Sequence, residues 1–229
     1  MTRLEFYMAN HHYGKNGCLA AGWLLALQKV SLIKISFMIG SKAIFFSGSS
    51  VLGPLLGACT NIWLCSAAFM VRMGMSVWLR GAFTGALCAL HIPGWLAALS
   101  WARPSFATKV LVPLVCMLLF MAHPVGGQVW FYALYWLIPM GLYLSNCKSI
   151  FAQSLSATFV AHATGSVIHL YTISMAPSNW VLLMPIVPVE RLLFASAMTV
   201  LYYGVVWVRD YITTKIPHVM HGDIISHNA

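Results

Sequence analysis

The chain has 229 residues, of which 60% are hydrophobic and only 7% are charged, and its mean hydropathy is +0.81. Because a soluble domain carries about 25% charged residues, this composition excludes a soluble globular enzyme, a disordered chain and a coiled coil. We therefore expect a single all-α domain over residues 1–229, a polytopic transmembrane helical bundle in a cell membrane such as a prokaryotic inner membrane. At about 20 residues per spanning helix, the length allows six or seven spans.

The charged residues indicate a protein that contacts lipid and not nucleic acid. Lys and Arg number 13 against 4 acidic residues, which gives a formal net charge of +9. The basic residues stand singly between apolar runs, as anchors to anionic headgroups do. A nucleic-acid surface would need them clustered on one solvated face. The six cysteines form no C-x-x-C pair, so we expect no disulfide framework, no metal site and no cofactor.

Seven apolar segments are separated by short polar or proline-rich stretches, between polar tails at residues 1–16 and 209–229. The segments are Gly17–Gly40, Ser50–Val71, Ser76–Leu99, Ala107–Met121, Gln128–Leu144, Ile150–Ile173 and Pro188–Val208. The first is interrupted by polar residues, so six or seven spans follow according to whether it crosses the membrane. All segments are helical by length, and we expect no strands.

Three prolines lie between the sixth and seventh segments, at positions 177, 185 and 188. Proline removes a backbone donor and clashes with the preceding turn. We therefore predict a helix break between Ile173 and Pro188, with the last span beginning near Pro188. The intervening piece is too short to span, and we interpret it as a short interfacial or re-entrant turn with Trp180 at headgroup depth.

One face of the sixth segment combines polar side chains with a parallel stripe of small residues. The polar positions are Thr158, His162, Ser166 and His169, and the small ones are Ala157, Ala161 and Gly165. Helical spacing puts the polar four on one face, and small residues let another helix approach closely. Since hydrocarbon makes polar groups costly, this face should point into the bundle. It either contacts a ligand or relays protons, or its histidines hydrogen-bond to neighbouring helices.

Further polar residues are candidates for the same site. They are the acid–base pair Glu190-Arg191, Asn61 within the second segment, Ser49 in the turn Ser47–Ser50, Gln128 after Gly126-Gly127, and Trp180. The pair is interpreted as a structural cap at a helix N-terminus or as a ligand contact. We predict that the histidine face, Glu190-Arg191 and the two turns converge on one cavity, because polar groups at membrane depth need each other, water or a ligand.

Two other patterns concern helix contacts and aromatic residues. Gly53–Gly57 and Gly81–Gly85 are G-x-x-x-G pairs, which are typical of helix–helix contacts. Gln128 begins a stretch with Trp130, Phe131, Tyr132, Tyr135 and Trp136. That stretch indicates an interfacial aromatic belt or a flat, aromatic-lined binding site for a vitamin-like ring.

The sequence contains no H-E-x-x-H, Walker A or G-x-G-x-x-G motif, so any ATP hydrolysis would need other subunits. One alternative is an intramembrane enzyme, or a haem-dependent redox protein that uses the His162/His169 face with His91 and His123 as further ligands. Another is a scaffolding subunit with no ligand of its own.

The run Phe46-Ser-Gly-Ser-Ser-Val-Leu-Gly-Pro-Leu-Leu-Gly-Ala58 resembles the substrate-binding (S) components of energy-coupling-factor vitamin transporters, many of which open their second helix with Gly-Pro-x-x-Gly. The resemblance covers this short motif and the general architecture. It implies a membrane-embedded subunit that binds a small, vitamin-like solute and works with other membrane or ATPase subunits. No binding residue is transferred from that family.

Overall fold

The computed structural model describes residues 34–35, 46–81 and 84–222. The predicted tail 1–16 and, apart from Lys34 and Ile35, the predicted segment Gly17–Gly40 lie outside the described residues. Strand β1 (Lys34–Ile35) pairs with strand β2 (Phe46–Ser47) in antiparallel register. This two-residue pairing departs from the expectation of no strands. The rest of the described chain is helical, which confirms the all-α class.

The helices alternate with short connections. In chain order they are α1 (Gly48–Cys59), α2 (Ile62–Arg80), α3 (Gly85–Ala102), a π-helical turn (Ala107–Leu111) leading into α4 (Val112–Ala122), α5 (Pro124–Gln128), a 3₁₀ segment (Trp130–Trp136) leading into α6 (Leu137–Leu144), α7 (Ile150–Thr172), α8 (Pro177–Leu183) and α9 (Ile186–Gly222).

Helix α7 is the central element, since it packs against α3, α9, α4 and α6. Its N-terminus is capped by the Ser149 hydroxyl, which accepts a hydrogen bond from the Ala152 amide. The predicted bounds of the sixth apolar segment, Ile150–Ile173, are confirmed to within one residue. The small-residue stripe lies toward α3, where Ala157 is fully buried and Gly165 faces the ring of Pro93.

The predicted second and third segments have the wrong boundaries. Ser50–Val71 is not one helix, because α1 ends at Cys59 and Asn61 caps α2 by accepting from the Leu64 amide. Helix α2 then continues past Val71 to Gly81, which takes the left-handed conformation (φ 70°) that ends a helix easily only at glycine. Asn61 is therefore an exposed cap between helices, and not a polar residue in mid-span.

The two glycine pairs have different roles. A Cβ atom on Gly57 would overlap the backbone of Ala98, and one on Gly53 would lie 3.8 Å from the Cα of Gly94. The first pair is therefore the close contact between α1 and α3, as predicted. The second pair, Gly81 and Gly85, spans the connection between α2 and α3, so its prediction as a helix-contact face is wrong.

The buried residues form two clusters that meet at α7. The first is built by α1, α2, α3, α7 and α9, and the second by α4, the 3₁₀ segment, α7, α8 and the start of α9. Ala157 of α7 belongs to the first cluster, whereas Phe159 and Ala163 belong to the second. Because successive residues of α7 point to different sides, one helix supports both halves of the bundle.

The predicted break before the last helix is confirmed. Helix α7 ends at Thr172, α8 follows as a separate short helix, and α9 begins at Ile186, two residues before Pro188. Helix α9 runs on to Gly222. The backbone over 209–222 is thus helical, where the sequence predicted the start of a polar tail.

Among the described residues, two helical stretches are long and apolar enough to cross a membrane, Ile62–Leu79 and Ile186–Val208. Both expose large apolar side chains. On α2, Trp63 near one end is 81% exposed and Trp78 near the other is 80% exposed. These indoles lie about 22 Å apart along the axis at 1.5 Å per residue. The six or seven spans stay a prediction.

The contact between α1 and α3 gives a direct test of packing. We expect Gly57→Ala to destabilise the protein by about 2 kcal/mol, because its methyl group has no space against Ala98. Gly74→Ala in α2 is the matched control, since a Cβ there meets nothing within 4 Å and alanine favours a helix. Thermal unfolding in detergent would contradict this packing if the two variants melted alike.

Candidate functional site

The second cluster contains a group of aromatic side chains around Tyr132, which we call the Tyr132 cluster. It consists of Phe120 from α4, Tyr132 and Trp136 from the 3₁₀ segment, Phe159 and His162 from α7, and Trp180 from α8. The Tyr132 ring lies with its centroid 5.0 Å from that of Trp180, 5.6 Å from that of Phe120 and 5.6 Å from that of His162. Four segments of the chain thus meet at one aromatic centre.

The polar face of α7 points into this part of the bundle, as predicted. Thr158 and Ser166 are buried, and the Nε2 atom of His162 has no contact with solvent. The half-buried ring of His169 meets the edge of Trp180 at a centroid distance of 6.1 Å. The hydroxyl of Tyr132 interacts with Ser166 across the cluster.

The cluster collects buried polar atoms that lack a hydrogen-bond partner. Six such side-chain atoms occur among the described residues, and four of them belong to this cluster or to the neighbouring arginine: Trp136 Nε1, His162 Nε2, Trp180 Nε1 and Arg191 Nε. A buried polar group without a partner costs several kcal/mol in an apolar medium. Four together mark a place where the chain alone does not complete the hydrogen bonding.

Arg191 and Glu190 lie where α9 meets α7. The Nη2 atom of Arg191 is 2.9 Å from a carboxylate oxygen of Glu190, and Nη1 donates to the carbonyl oxygen of Thr158 at 3.2 Å. The guanidinium also lies 4.8 Å from the ring centre of Phe194. Arg191 interacts electrostatically with both His162 and Tyr132. The structure therefore brings the predicted pair and the histidine face together.

Helix α8 covers the cluster and inserts Trp180 into it. The indole is 2% exposed, and its ring contacts Phe120, Tyr132 and His169. Just beyond α8, the carbonyl oxygen of Met184 accepts a hydrogen bond from the Tyr135 hydroxyl at 2.9 Å. Its ring fills an interior position that only the folded chain creates, and the depth of Trp180 relative to the headgroups stays a prediction.

Three of the predicted site residues do not join the Tyr132 cluster. Asn61 is exposed and caps α2. Gln128 is exposed and donates from Nε2 to the carbonyl oxygen of Pro124. Ser49 lies in the first turn of α1, whose buried residues belong to the first cluster. The structure therefore brings the histidine face and Glu190-Arg191 together, while the amide groups of Asn61 and Gln128 make local hydrogen bonds. That the predicted site residues line one cavity stays a prediction.

The other two histidines considered as haem ligands make hydrogen bonds elsewhere. His91 Nε2 lies 2.9 Å from the Ser76 hydroxyl, and His123 Nδ1 accepts from the Val125 amide at 3.2 Å. In the part of the chain that the structure describes, no three His, Cys, Asp or Glu side chains are grouped to hold a metal ion.

Two features of the site region escaped sequence reasoning. Tyr132 and Trp136 are fully buried, whereas their neighbour Trp130 is 52% exposed as a belt residue would be. Lys109, which the sequence placed as a headgroup anchor, is buried, and its Nζ donates to Gln153 Oε1 at 2.6 Å. Both the two aromatic residues and Lys109 contact α7. Their burial therefore depends on the tertiary fold and cannot be read from the residue type or its position in the sequence.

Comparisons with protein-family models, curated proteins and solved structures found no match for this chain. The resemblance to the vitamin-binding components of energy-coupling-factor transporters stays a prediction, and the argument for function rests on the geometry of the Tyr132 cluster.

The ion pair provides a test of how α9 is held against α7. Glu190→Gln leaves the Arg191 guanidinium, whose side chain is 12% exposed, without its carboxylate. We expect a loss of about 2 kcal/mol in unfolding free energy, between the values of exposed and fully buried pairs. The double variant Glu190→Gln/Arg191→Met should lose less than the sum of the two single variants. Additive losses in thermal unfolding would mean that the pair contributes no coupling.

Proposed function

We propose that this chain is a multi-pass integral membrane protein that binds a small, vitamin-like solute at the Tyr132 cluster. In this proposal it serves as the membrane-embedded substrate-binding subunit of a transporter, in a cell membrane. The observation that carries the proposal is a group of four unpaired buried polar atoms, three in the Tyr132 cluster and one on the neighbouring Arg191.

The membrane part of the proposal rests on the composition and on the outer surface. Apolar side chains cover the exposed faces of α2 and α9. Soluble monomeric proteins rarely expose contiguous apolar surfaces of this kind. We propose six spans within the described residues: α2, α3, the π turn with α4, the 3₁₀ segment with α6, α7 and the first part of α9. Helix α7, with 23 residues, is about 34 Å long at 1.5 Å per residue, enough for a hydrocarbon core of about 30 Å.

The binding part rests on the chemistry of the cluster. Ligand sites are mostly aromatic or apolar with a few convergent polar groups. Here the rings supply the apolar walls, and the atoms Trp136 Nε1, His162 Nε2 and Arg191 Nε supply polar groups with no other role among the described residues. A bound solute would provide hydrogen-bond partners for these groups, whose burial without a partner costs several kcal/mol of free energy.

Helix α8 provides the entrance in this proposal. It has seven residues, begins at Pro177 and is followed by Pro185, so it can move without unwinding α7 or α9. Its displacement would withdraw Trp180 from between Phe120, Tyr132 and His169. The same cover would then close over the solute and exclude water and lipid.

The proposal predicts that the purified protein retains a small molecule. The chain is reconstituted in lipid nanodiscs, extracted with organic solvent, and the extract is compared by mass spectrometry with that of empty nanodiscs. We expect one enriched compound in the wild type, and its loss in His162→Leu, which removes a polar wall group without reducing apolar contact.

The matched control for this experiment is Trp95→Phe. Trp95 also has a buried, unpaired indole nitrogen among the described residues, but it stacks on Phe69 away from the Tyr132 cluster. It should retain the compound. If no compound is enriched in the wild type, or if His162→Leu retains as much as Trp95→Phe, the cluster is not a binding site.

A further inference from the structure

We infer that the solute of the Tyr132 cluster is an uncharged, planar ring compound with several hydrogen-bond acceptors on its rim, such as carbonyl oxygens or unprotonated ring nitrogens. The inference rests on the proposed function and specifies its substrate class. It follows from the kind of polar atoms that are unpaired, from the charge balance around them and from the shape of the walls.

The unpaired atoms determine the hydrogen-bonding character of the solute. The indole nitrogens of Trp136 and Trp180 and the Nε of Arg191 carry one hydrogen each and can only donate. His162 Nε2 donates or accepts according to its tautomer. A molecule that satisfies these groups therefore presents at least three acceptors. A solute rich in donors would leave its own donors and those of the protein without acceptors, and each buried group without a partner costs free energy.

The charge balance excludes a solute with a net charge. The cluster is bordered by one cation, Arg191, and by Glu190 at 2.9 Å, which balances it. Among the residues that the structure describes, another buried basic side chain is Lys109, which pairs with Gln153. Gln153 precedes His162 by nine residues on α7, about 13 Å along the axis. An anion or a cation in the cluster would thus bring an uncompensated charge into an apolar interior.

The walls determine the shape of the solute. The edges of the Phe120 and Tyr132 rings meet Trp180 at interplanar angles of 80° and 79°, and Trp136 and His162 close another side with centroids 6.4 Å apart. Edge-to-face contacts of this kind are the favoured arrangement of flat rings. The indole of Trp180 shows that a planar ring system fits among these groups, and its N–H still has no partner among the described residues.

The test uses four probes that share one benzene ring: acetophenone, ethylbenzene, benzoate and benzylammonium. Binding to the nanodisc-embedded protein is measured by ligand-observed NMR titration, with empty nanodiscs as the reference for partitioning. We expect acetophenone to bind at least about fivefold more tightly than ethylbenzene, which corresponds to one net hydrogen bond. Benzoate and benzylammonium should bind more weakly than acetophenone.

Variants test whether the preference for acetophenone over ethylbenzene depends on the unpaired donors. Trp136→Phe keeps an aromatic wall but removes the N–H, so it should weaken acetophenone roughly fivefold and leave ethylbenzene unchanged. Trp180→Phe provides a second such variant if Trp136→Phe fails to fold. Trp95→Phe, with its indole outside the cluster, should bind all four probes as the wild type does.

Several outcomes would overturn the inference. Tighter binding of benzoate or benzylammonium would mean a charged solute, and equal binding of acetophenone and ethylbenzene would mean that water satisfies the donors. Binding of none of the probes would also contradict it. An extracted compound that is charged at neutral pH would refute the class while the proposed function stands. Failure of the extraction experiment together with the absence of any probe binding would refute both.

Discussion

A polar group that is removed from water needs a hydrogen-bond partner, and this constraint shapes the contacts that α7 makes with its neighbours. In a membrane, where hydrocarbon offers no partner, the polar groups of α7 would have to be satisfied within the protein. Thr158 provides its carbonyl oxygen to Arg191, and Ser166 interacts with the Tyr132 hydroxyl. These contacts join α7 to α9 and to the 3₁₀ segment. Two side-chain atoms of α7 are buried without a partner in the described structure, Ser156 Oγ and His162 Nε2. Of the two residues, His162 lies among the aromatic rings of the Tyr132 cluster.

The same constraint separates the two halves of the bundle by their chemistry. The half built on α1 and α3 relies on close backbone contact at Gly57, with apolar packing around Trp101. The half around Tyr132 contains large rings with polar edges and is covered by a short helix bounded by prolines. Close backbone packing suits a scaffold, whereas several unsatisfied donors under a displaceable cover suit a binding site. Proposed transport would therefore require movement of α8 while the glycine-packed half stays in place.

The sequence predicted the central helix and the proline break well, because long apolar runs and prolines are local signals. It failed between residues 50 and 99, since hydropathy does not reveal that Asn61 caps a helix or that Gly81 ends one. Within the site, helical spacing placed His162 correctly, and the rarity of acids drew attention to Glu190. The burial of Trp180 in the aromatic cluster was not predicted, because an exposed indole and an indole in an aromatic core look the same in a sequence. Only tertiary contacts with α7 distinguish them.

The central claim is that the unpaired donors of the Tyr132 cluster are completed by a molecule that is not part of the chain. A high-resolution density map of the protein in lipid nanodiscs tests it most directly. The account predicts a non-protein, ring-shaped density with atoms about 2.7–3.2 Å from Trp136 Nε1 and Arg191 Nε. It would be contradicted by a map in which these nitrogens donate to protein groups, or to isolated waters alone, in every copy.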